Sequence, residues 1–162
     1  MLADISVRLA TIADAQAIAE LSRDTIEQGL PWGWRPERVL HAIRDPETNV
    51  AVVGNTDAIE AFGIMEYLET DAYLALFAVD PRKRRQGVGS AVLTWLEDVA
   101  RAAGAKRIRL ETRRDNIAAR SFYNEHGYVE RTITAARYGE GVDGIRLEKW
   151  LRLDEDPGAP LA

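Results

Sequence analysis

The stretch that most constrains the fold is residues 72–96, where an apolar run meets a basic turn and then an amphipathic pattern. Residues 73–79 are apolar and of strand length, and Asp80-Pro81 ends them because a residue before proline avoids the helical region. The following apolar positions recur at three- and four-residue steps: Val88, Val92, Leu96 and Val99. This pattern predicts a helix that starts near Gly87 and buries one stripe.

The turn between strand and helix has the chemistry of a phosphate site. Its residues are basic and then glycine-bearing: Arg82, Lys83, Arg84, Arg85, Gln86, Gly87, Val88, Gly89 and Ser90. Backbone N–H groups at a helix N-terminus lack intrahelical partners and lie at the positive end of the helix dipole. Glycines let a ligand approach the backbone, and guanidinium groups add charge. The turn therefore predicts a site for the diphosphate of a phosphorylated cofactor.

Several interpretations of this turn compete. A Walker loop needs Gly-Lys before Ser or Thr, and Gly89 is followed directly by Ser90, so that class is excluded. A dinucleotide fingerprint needs Gly-x-Gly-x-x-Gly directly after a strand, and Gly87 and Gly89 fit its first two glycines. Val92 occupies the position of the third glycine, and a seven-residue segment separates Val79 from Gly87. This class is disfavoured although Glu111 has the spacing of a ribose contact. These residues alone are also compatible with a third interpretation, in which the turn is only a run of solvated charges before an ordinary helix.

Composition narrows the function classes. The 162 residues are 46% hydrophobic, enough for one compact domain, which we place at 1–153 with a polar tail at 154–162. The sequence has no cysteine, which excludes disulfides, thiolate zinc sites and cysteine nucleophiles, and its only histidines are His41 and His126, so no metal site is expected. Without an apolar run of membrane-spanning length or a signal segment, a soluble cytoplasmic protein is expected.

Charge is unevenly distributed along the chain. The net charge is −5, yet basic residues crowd the middle of the sequence, from Arg82 to Arg120. An acidic protein with a local basic patch suits a small polyanion better than a long nucleic acid, which needs an extended positive face. We therefore expect neither nucleic acid nor membrane as a partner.

The remaining elements predict a mixed sheet. Helices are expected from Thr11 to Gly29, over 36–44 and near Asn116, and further strands over these ranges: 5–9, 50–53, 58–68, 107–112, 128–136 and 145–153. Residues 54–57 give a turn-rich hairpin link. The strands at Tyr73 and Lys106 must run parallel because a helix connects them.

A second motif follows at residues 113–128. Asn116, Ala119 and Tyr123 stand three and seven residues apart, so they share one face of a helix that begins near Asn116. Taken singly, Asn116 is more often a helix cap and Tyr123 more often a half-buried core residue.

Together the two motifs resemble the signatures of the GNAT superfamily of N-acetyltransferases. The first is Arg84-x-x-Gly87-x-Gly89, and the second comprises Asn116, Ala119, Phe122, Tyr123, Gly127 and Tyr128. The resemblance extends from residue 5 to about residue 153. It implies a single GNAT-like α/β (α+β) domain with a mixed, mostly antiparallel sheet of about seven strands, helices on both faces and a central parallel β-α-β unit splayed for the cofactor.

The resemblance also implies acetyl-CoA as the acyl donor, with no metal. Backbone groups of Phe77, Ala78 and Val79 would pair with the pantetheine amides, and an N–H there would polarise the thioester carbonyl. The basic turn, residues 84–90, would hold the pyrophosphate. Asn116 would bond the pantetheine arm, and Ala119 and Tyr123 would complete the cofactor-binding set.

For chemistry, the resemblance makes Tyr123 the acid that protonates the departing thiolate. Glu66 is the first choice of base, through water, with Glu111 second; an α-amine acceptor needs no base. Trp32 and Trp34 either contact the acceptor or cap the edge of the core.

The expected reaction is acetylation of a primary amine, on a small molecule, a protein N-terminus or a lysine, by a monomer or a homodimer. The alternatives are a non-catalytic CoA-binding regulatory domain of the same fold and, third, a nucleic-acid-binding module.

Overall fold

The computed structural model describes residues 4–152, so the predicted tail at 154–162 lies outside the described residues. Within that range the chain forms four α-helices: α1 (Ala15–Asp24), α2 (Pro36–Arg44), α3 (Val88–Ala102) and α4 (Ile117–Glu125). The strands of the same range are β1 (Arg8–Leu9), β2 (Thr48–Asn55), β3 (Ala58–Tyr67), β4 (Asp71–Val79), β5 (Arg107–Arg113), β6 (Val129–Thr134) and β7 (Gly144–Trp150). None of these helices has the length and apolar character needed to cross a bilayer.

The strands form one mixed sheet in the order β1-β2-β3-β4-β5-β7-β6. The pairs β1–β2, β2–β3, β5–β7 and β6–β7 are antiparallel. Strands β4 and β5 are parallel, as a crossover through α3 requires. The predicted fold class, a mixed and mostly antiparallel sheet of seven strands with helices, is therefore confirmed.

Strands β4 and β5 pair over only part of their length. The register matches Asp71 with Arg107 and ends at Leu74 with Leu110. Strand β4 nevertheless continues to Val79, and β5 to Arg113. The backbone groups at the end of β4 are therefore not used by β5, as the predicted splay requires.

Residues 4–66 and 75–99 form one compact unit. Its core places Ile18 of α1 and Val39 of α2 with Phe62 and Ile64 of β3, all four fully buried. The intervening residue, Gly63, points to the opposite face, where an added Cβ would lie 2.6 Å from Leu96 Cδ1 of α3. An added Cβ would therefore have to push the Leu96 side chain aside, so glycine favours the close approach of α3, and helices occupy both faces of these strands.

Residues 67–74 and 100–152 form the other compact unit. One face of its strands is apolar and buried: Ala72, Leu74, Ile108, Leu110, Ile145 and Leu147. The alternate positions are mostly charged: Asp71, Arg107, Arg109, Glu111, Arg146 and Glu148. Arg107 bridges Asp71 at 3.1 Å and Glu148 at 2.8 Å. The two-residue alternation that predicts β5 thus separates a core face from a charged face.

Some predicted boundaries differ from those observed. The strand expected over 5–9 pairs only at Arg8 and Leu9. The helix expected to reach Gly29 ends at Asp24, because the Thr25 hydroxyl donates to the Leu21 carbonyl and the Glu27 N–H bonds the Ser22 carbonyl. These hydrogen bonds replace the backbone bonds between residues i and i−4 that would continue the helix. The last strand ends at Trp150 rather than at residue 153, which lies outside the described residues.

Candidate active site

The basic turn after β4 divides its four cations into two pairs. Arg82 bonds the Asp80 carboxylate at 2.9 Å, and Lys83 lies 3.7 Å from that of Glu60. The hydrogen bonds from Arg82 lower the pKa of Asp80. Arg84 and Arg85 are exposed and form no ion pair with any described residue. These two guanidinium groups are therefore available to an external anion, and they are the two that the sequence assigned to the diphosphate.

Backbone donors lie beside these arginines. Helix α3 begins at Val88, and the Ala91 N–H bonds the Gly87 carbonyl at 3.0 Å. The N–H groups of Val88 and Gly89 precede this bond and have no intrahelical acceptor. Arg85 and Gly87 both have positive φ, +65° and +82°. The turn thus combines two guanidinium groups that form no ion pair within the described part of the chain with a helix N-terminus, which suits a phosphorylated ligand.

The end of β4 leads directly into this turn. Ala78 is buried, whereas Phe77 and Val79 on either side are half-buried. The Asp80 N–H donates to the Glu60 carbonyl at 2.8 Å, which anchors the strand end to β3. The predicted pantetheine-binding residues therefore lie on a rigid strand next to the predicted diphosphate site.

Asn116 caps helix α4. Its Oδ1 accepts the Ala119 N–H at 3.1 Å, and its φ of −84° and ψ of 80° are not helical. The interpretation of Asn116 as a cap is correct. The cap uses the side-chain oxygen and leaves the NH₂ of the amide to donate elsewhere.

Tyr123 lies on the same helix in an aromatic cluster. Its ring centroid is 5.5 Å from that of Phe122 and 5.7 Å from that of Tyr128, both edge to face. The residue is 6% exposed, and burial raises the pKa of its phenol above the usual value. The phenol therefore keeps its proton at neutral pH, but it is a weaker acid than an ordinary tyrosine of pKa about 10.

The two candidate bases have different surroundings. Glu66 is half-buried, lies opposite Thr48 in the sheet register and forms no ion pair with a described residue. Glu111 has a side chain only 10% exposed, and its Oε1 lies 3.5 Å from Arg137 Nε and 3.7 Å from Arg146 Nε. Its Oε2 is buried and accepts no hydrogen bond from residues 4–152.

The loop between β6 and β7, residues 135–143, folds back beside Glu111. The Ala136 N–H donates to Asp143 Oδ1 at 3.0 Å, and the Tyr138 N–H to the Val142 carbonyl at 3.0 Å. Burial raises the pKa of Tyr138 to about 12, with Glu111 adding to the effect and Arg137 opposing it. Sequence reasoning missed this cluster, because Arg137 meets Glu111 across 26 residues and no local pattern indicates such a contact.

The two loop tryptophans pack against the core of the first unit. Trp32 donates its indole N–H to the Ala19 carbonyl at 3.1 Å. Glu27, which sequence reasoning also missed, accepts the backbone N–H groups of Gly33 and Trp34 at 2.7 and 3.1 Å. The core-edge role of the indoles is therefore correct, and acceptor contact remains a prediction.

The predicted site residues fall in both compact units. The first unit holds Trp32, Trp34, Glu66, Phe77, Ala78, Val79 and the turn of Arg84, Arg85, Gln86, Gly87, Val88, Gly89 and Ser90. The second holds Asn116, Ala119 and Tyr123, together with Glu111. Among residues 4–152 no group of three His, Asp or Glu side chains is placed to hold a metal ion.

Comparison with known proteins gives consistent results. Residues 15–128 match the family model described as Acetyltransferase (GNAT) family. A [Ribosomal protein bS18]-alanine N-acetyltransferase of Salmonella typhimurium is 31% identical over 121 residues, 67% of this chain and 80% of that protein. N-alpha-acetyltransferase 30 of Xenopus laevis is 32% identical over 80 residues, but this chain spans only 29% of its length. The solved structure of yncA, a putative acetyltransferase from Salmonella typhimurium, with its cofactor acetyl-CoA has a TM-score of 0.76 at 18% identity, and the match covers 99% of each chain.

Proposed function

Because the chain belongs to the Acetyltransferase (GNAT) family, we propose that it moves the acetyl group of acetyl-CoA to a primary amine by direct attack. The observation that carries this proposal is the turn after β4. The guanidinium groups of Arg84 and Arg85, which pair with no carboxylate among the described residues, lie next to helix N–H groups that have no intrahelical acceptor. Such an arrangement suits an anion, although the net charge of the chain is −5.

The turn would hold the pyrophosphate of the donor. Arg84 and Arg85 would contribute charge, and the backbone from Gln86 to Ser90 would contribute donors, with Gly87 and Gly89 allowing close approach. Asp80 and Glu60 support this role indirectly, because they neutralise Arg82 and Lys83. The diphosphate would therefore be bound by Arg84 and Arg85, the two cations that follow Arg82 and Lys83 in the turn.

The pantetheine arm would be held by backbone groups at the end of β4. Phe77, Ala78 and Val79 lie beyond the last β4–β5 pair, so an extended ligand could add to the strand edge. An N–H there would polarise the thioester carbonyl. The side-chain NH₂ of Asn116, which its capping bond leaves unused, would donate to an amide carbonyl of the arm, and the small side chain of Ala119 would leave room for it.

Acetyl-CoA supplies the acetyl group as a thioester, and this chain supplies the proton transfers. We propose that the Tyr123 phenol donates its proton to the departing thiolate. Burial keeps this phenol protonated before the reaction, and it also makes the phenol a weaker donor to the thiolate. An ammonium acceptor must lose two protons in all. The first passes to a carboxylate oxygen and leaves a neutral amine, which attacks the thioester carbonyl. The second leaves the nitrogen as the C–S bond breaks and replaces the proton that Tyr123 gave to the thiolate.

Glu66 and Glu111 are the two carboxylates considered for this role. We rank Glu111 ahead of Glu66, the first choice from the sequence, because its buried Oε2 accepts no protein hydrogen bond. A buried acceptor atom of this kind suits an amine N–H. Glu66 stays a candidate through water.

The proposed acceptor is the α-amine of a protein. The names of the two relatives, one acting on a ribosomal protein alanine and one an N-alpha-acetyltransferase, support it. An α-amine with pKa about 8 also loses its proton more readily than a lysine with pKa about 10.4. Trp32 and Trp34 would line the approach of such an acceptor, and a ribosomal protein acceptor would place the enzyme in the cytoplasm.

Calorimetric titration with acetyl-CoA, with NAD and ATP as controls, tests the cofactor half of the proposal. Saturable binding of acetyl-CoA alone supports it, and no binding to folded protein contradicts it. CoA release with alanine-initiated peptides then tests transfer, with lysine peptides blocked at the N-terminus as the comparison. Binding without release on any amine would favour the non-catalytic CoA-binding alternative.

Tyr123→Phe tests the acid. The variant keeps the buried ring and removes the proton donor, so we expect kcat to fall about 100-fold while acetyl-CoA affinity changes little. Tyr128→Phe, in the same cluster, is the matched control and should retain turnover. An unchanged kcat in the Tyr123 variant would remove this residue from the acid role.

A further inference from the structure

The charged face of the second unit contains one carboxylate that its own loop covers. Glu111 is 10% exposed, although Arg146, its partner across the β5–β7 register, is 59% exposed. Arg137 reaches Glu111 from the β6–β7 loop, 26 residues along the chain, with Nε 3.5 Å from Oε1. Arg137 thus adds a contact from the loop to a carboxylate that Arg146 already flanks from the neighbouring strand.

The sequence of the loop allows this close placement. An added Cβ at Gly144 would lie 3.0 Å from both Cβ and Cγ of Arg137 and 3.1 Å from Cε2 of Tyr138. Glycine at this position therefore lets both side chains lie against the start of β7. Ala136 has φ +54°, a left-handed conformation that a residue with a Cβ adopts rarely, and its N–H is tied to Asp143.

With the β6–β7 loop in this position, the Glu111 carboxylate has fewer close hydrogen-bond donors than its two oxygens can accept. Both guanidinium groups approach Oε1, at 3.5 and 3.7 Å, which is longer than a strong charge-assisted hydrogen bond. No donor reaches the buried Oε2. A buried carboxylate oxygen without a donor is unfavourable, so a cation whose N–H groups reach Oε2 as well as Oε1 would satisfy Glu111 better than Arg137 does.

We propose that Arg137 is a positioning residue that closes the β6–β7 loop over Glu111 and gives way to the ammonium form of the acceptor amine. The inference rests on the proposed function, in which Glu111 receives the acceptor proton. Arg137 is thus an internal competitor of the acceptor. The class of ligand that opens the loop is a primary ammonium, whose three N–H groups can serve both carboxylate oxygens at once.

Carboxylate labelling with a carbodiimide and glycine ethyl ester, read by peptide mass spectrometry, measures how well Glu111 is shielded. This measurement does not require enzymatic activity. Glu111 should react slowly in the wild-type protein, and about fivefold faster in Arg137→Ala, the change expected when a partly exposed ion pair is lost. Arg137→Lys should keep most of the protection. Arg146→Ala is the matched control, since it removes the other guanidinium at Oε1 but leaves the loop in place, and its labelling should stay near wild type.

A second variant crowds the loop without removing charge. Gly144→Ala should push Arg137 and Tyr138 away by a few tenths of an ångström, and should raise the labelling of Glu111 above wild type by less than Arg137→Ala does. Asp14, fully buried in the first unit, is the internal control for global unfolding and should stay unlabelled throughout. Equal labelling of Glu111 in wild type and Arg137→Ala, or equal gains in Arg137→Ala and Arg146→Ala, would overturn the proposal.

Kinetics give an independent readout if the enzyme acetylates an alanine-initiated peptide. Arg137→Ala should lower the acceptor KM by about fivefold with kcat within about twofold, because an internal competitor is removed while the proton acceptor stays. A fall in kcat at unchanged KM would contradict competition. Absence of turnover in all variants would count against the proposed function and leave the labelling result intact.

Discussion

Arg85 illustrates how a single residue can be strained at a binding site. Its φ of +65° lies in the left-handed region, which costs a side chain with a Cβ about 1 kcal/mol. The guanidinium it carries forms no ion pair with a described residue. Strain retained at a position without a protein partner is typical of a residue that serves a ligand.

Replacing Arg85 by glycine should therefore separate stability from binding. We expect the free energy of unfolding to rise by about 0.5 kcal/mol, since glycine accepts the positive φ, while acetyl-CoA affinity falls through loss of the charge. Urea unfolding and calorimetric titration measure the two effects. Arg84→Gly is the matched control: Arg84 is extended, with φ −63°, so glycine there should lower stability. Equal losses of stability in Arg85→Gly and Arg84→Gly would show that the positive φ of Arg85 does not strain the backbone.

Asn116 combines two roles that substitution can separate. Asn116→Asp keeps the capping oxygen and should keep or raise stability at the helix N-terminus, but it removes the NH₂ proposed for the pantetheine arm. Asn116→Ala should lose about 1 kcal/mol of stability as well as affinity. Thermal unfolding with acetyl-CoA titration checks both. Full affinity in Asn116→Asp would show that the amide donor is not used.

At the scale of elements, the connection between α1 and α2 depends on one carboxylate. Glu27 accepts the Ser22 hydroxyl at 2.8 Å in addition to the N–H groups of Gly33 and Trp34. Arg38 stacks 3.8 Å from the centroid of the Trp34 ring. An irregular segment is thus held by side-chain bonds where no helix or strand supplies backbone partners.

Glu27→Ala should release this connection. Loss of three bonds to a charged acceptor is expected to lower the free energy of unfolding by about 2 kcal/mol and to shift the tryptophan emission as Trp32 and Trp34 become more exposed. Glu37→Ala, on the exposed side of α2, is the control and should stay within about 0.5 kcal/mol of wild type. Unchanged emission in Glu27→Ala would mean that the indoles are held by packing alone.

At the scale of the whole molecule, acid stability depends on a buried ion pair. Asp14 is fully buried, with Oδ2 2.7 Å from Arg8 Nη1, and Arg8 also donates to the Gly54 carbonyl at 3.0 Å. The Arg8 hydrogen bond, followed by the Thr11 N–H, holds the pKa of Asp14 well below its ordinary value of 3.8. The pair thus joins β1, the start of α1 and β2.

Because the folded pKa of Asp14 is depressed, its contribution to stability is present above pH 3.8 and is lost as the pH falls below that value. We expect it to be on the order of 2 kcal/mol, reduced by screening of the partly exposed Arg8. Urea unfolding from pH 7 to pH 3 of wild type and Asp14→Asn measures it. The variant should be less stable at pH 7 and lose less stability on acidification; parallel profiles would contradict the assignment.

Periodicity and turn chemistry predicted each α-helix and each strand of the described residues, because these signals are local, but not the short 3-10 helix at Pro81–Lys83. Strand β4, the turn and α3 follow from alternating and helical spacing, and α2 has the predicted bounds of Pro36–Arg44. The predicted boundaries were wrong where side chains competed with the backbone for hydrogen bonds, as at Thr25. Asn116 and Tyr123 were identified by spacing, but their cap and burial required the surrounding helix and strands.

The sequence by itself determined the fold class, the two motifs and the family, since each depends on residues close together in the chain. The tertiary structure decided which cations of the basic run remain available, because Asp80 and Glu60 pair with Arg82 and Lys83. It also decided that Arg137 covers Glu111 and that Glu27 holds the tryptophan segment. These contacts depend on how the folded chain brings charges and donors together in space, and no repeating pattern in the sequence records that.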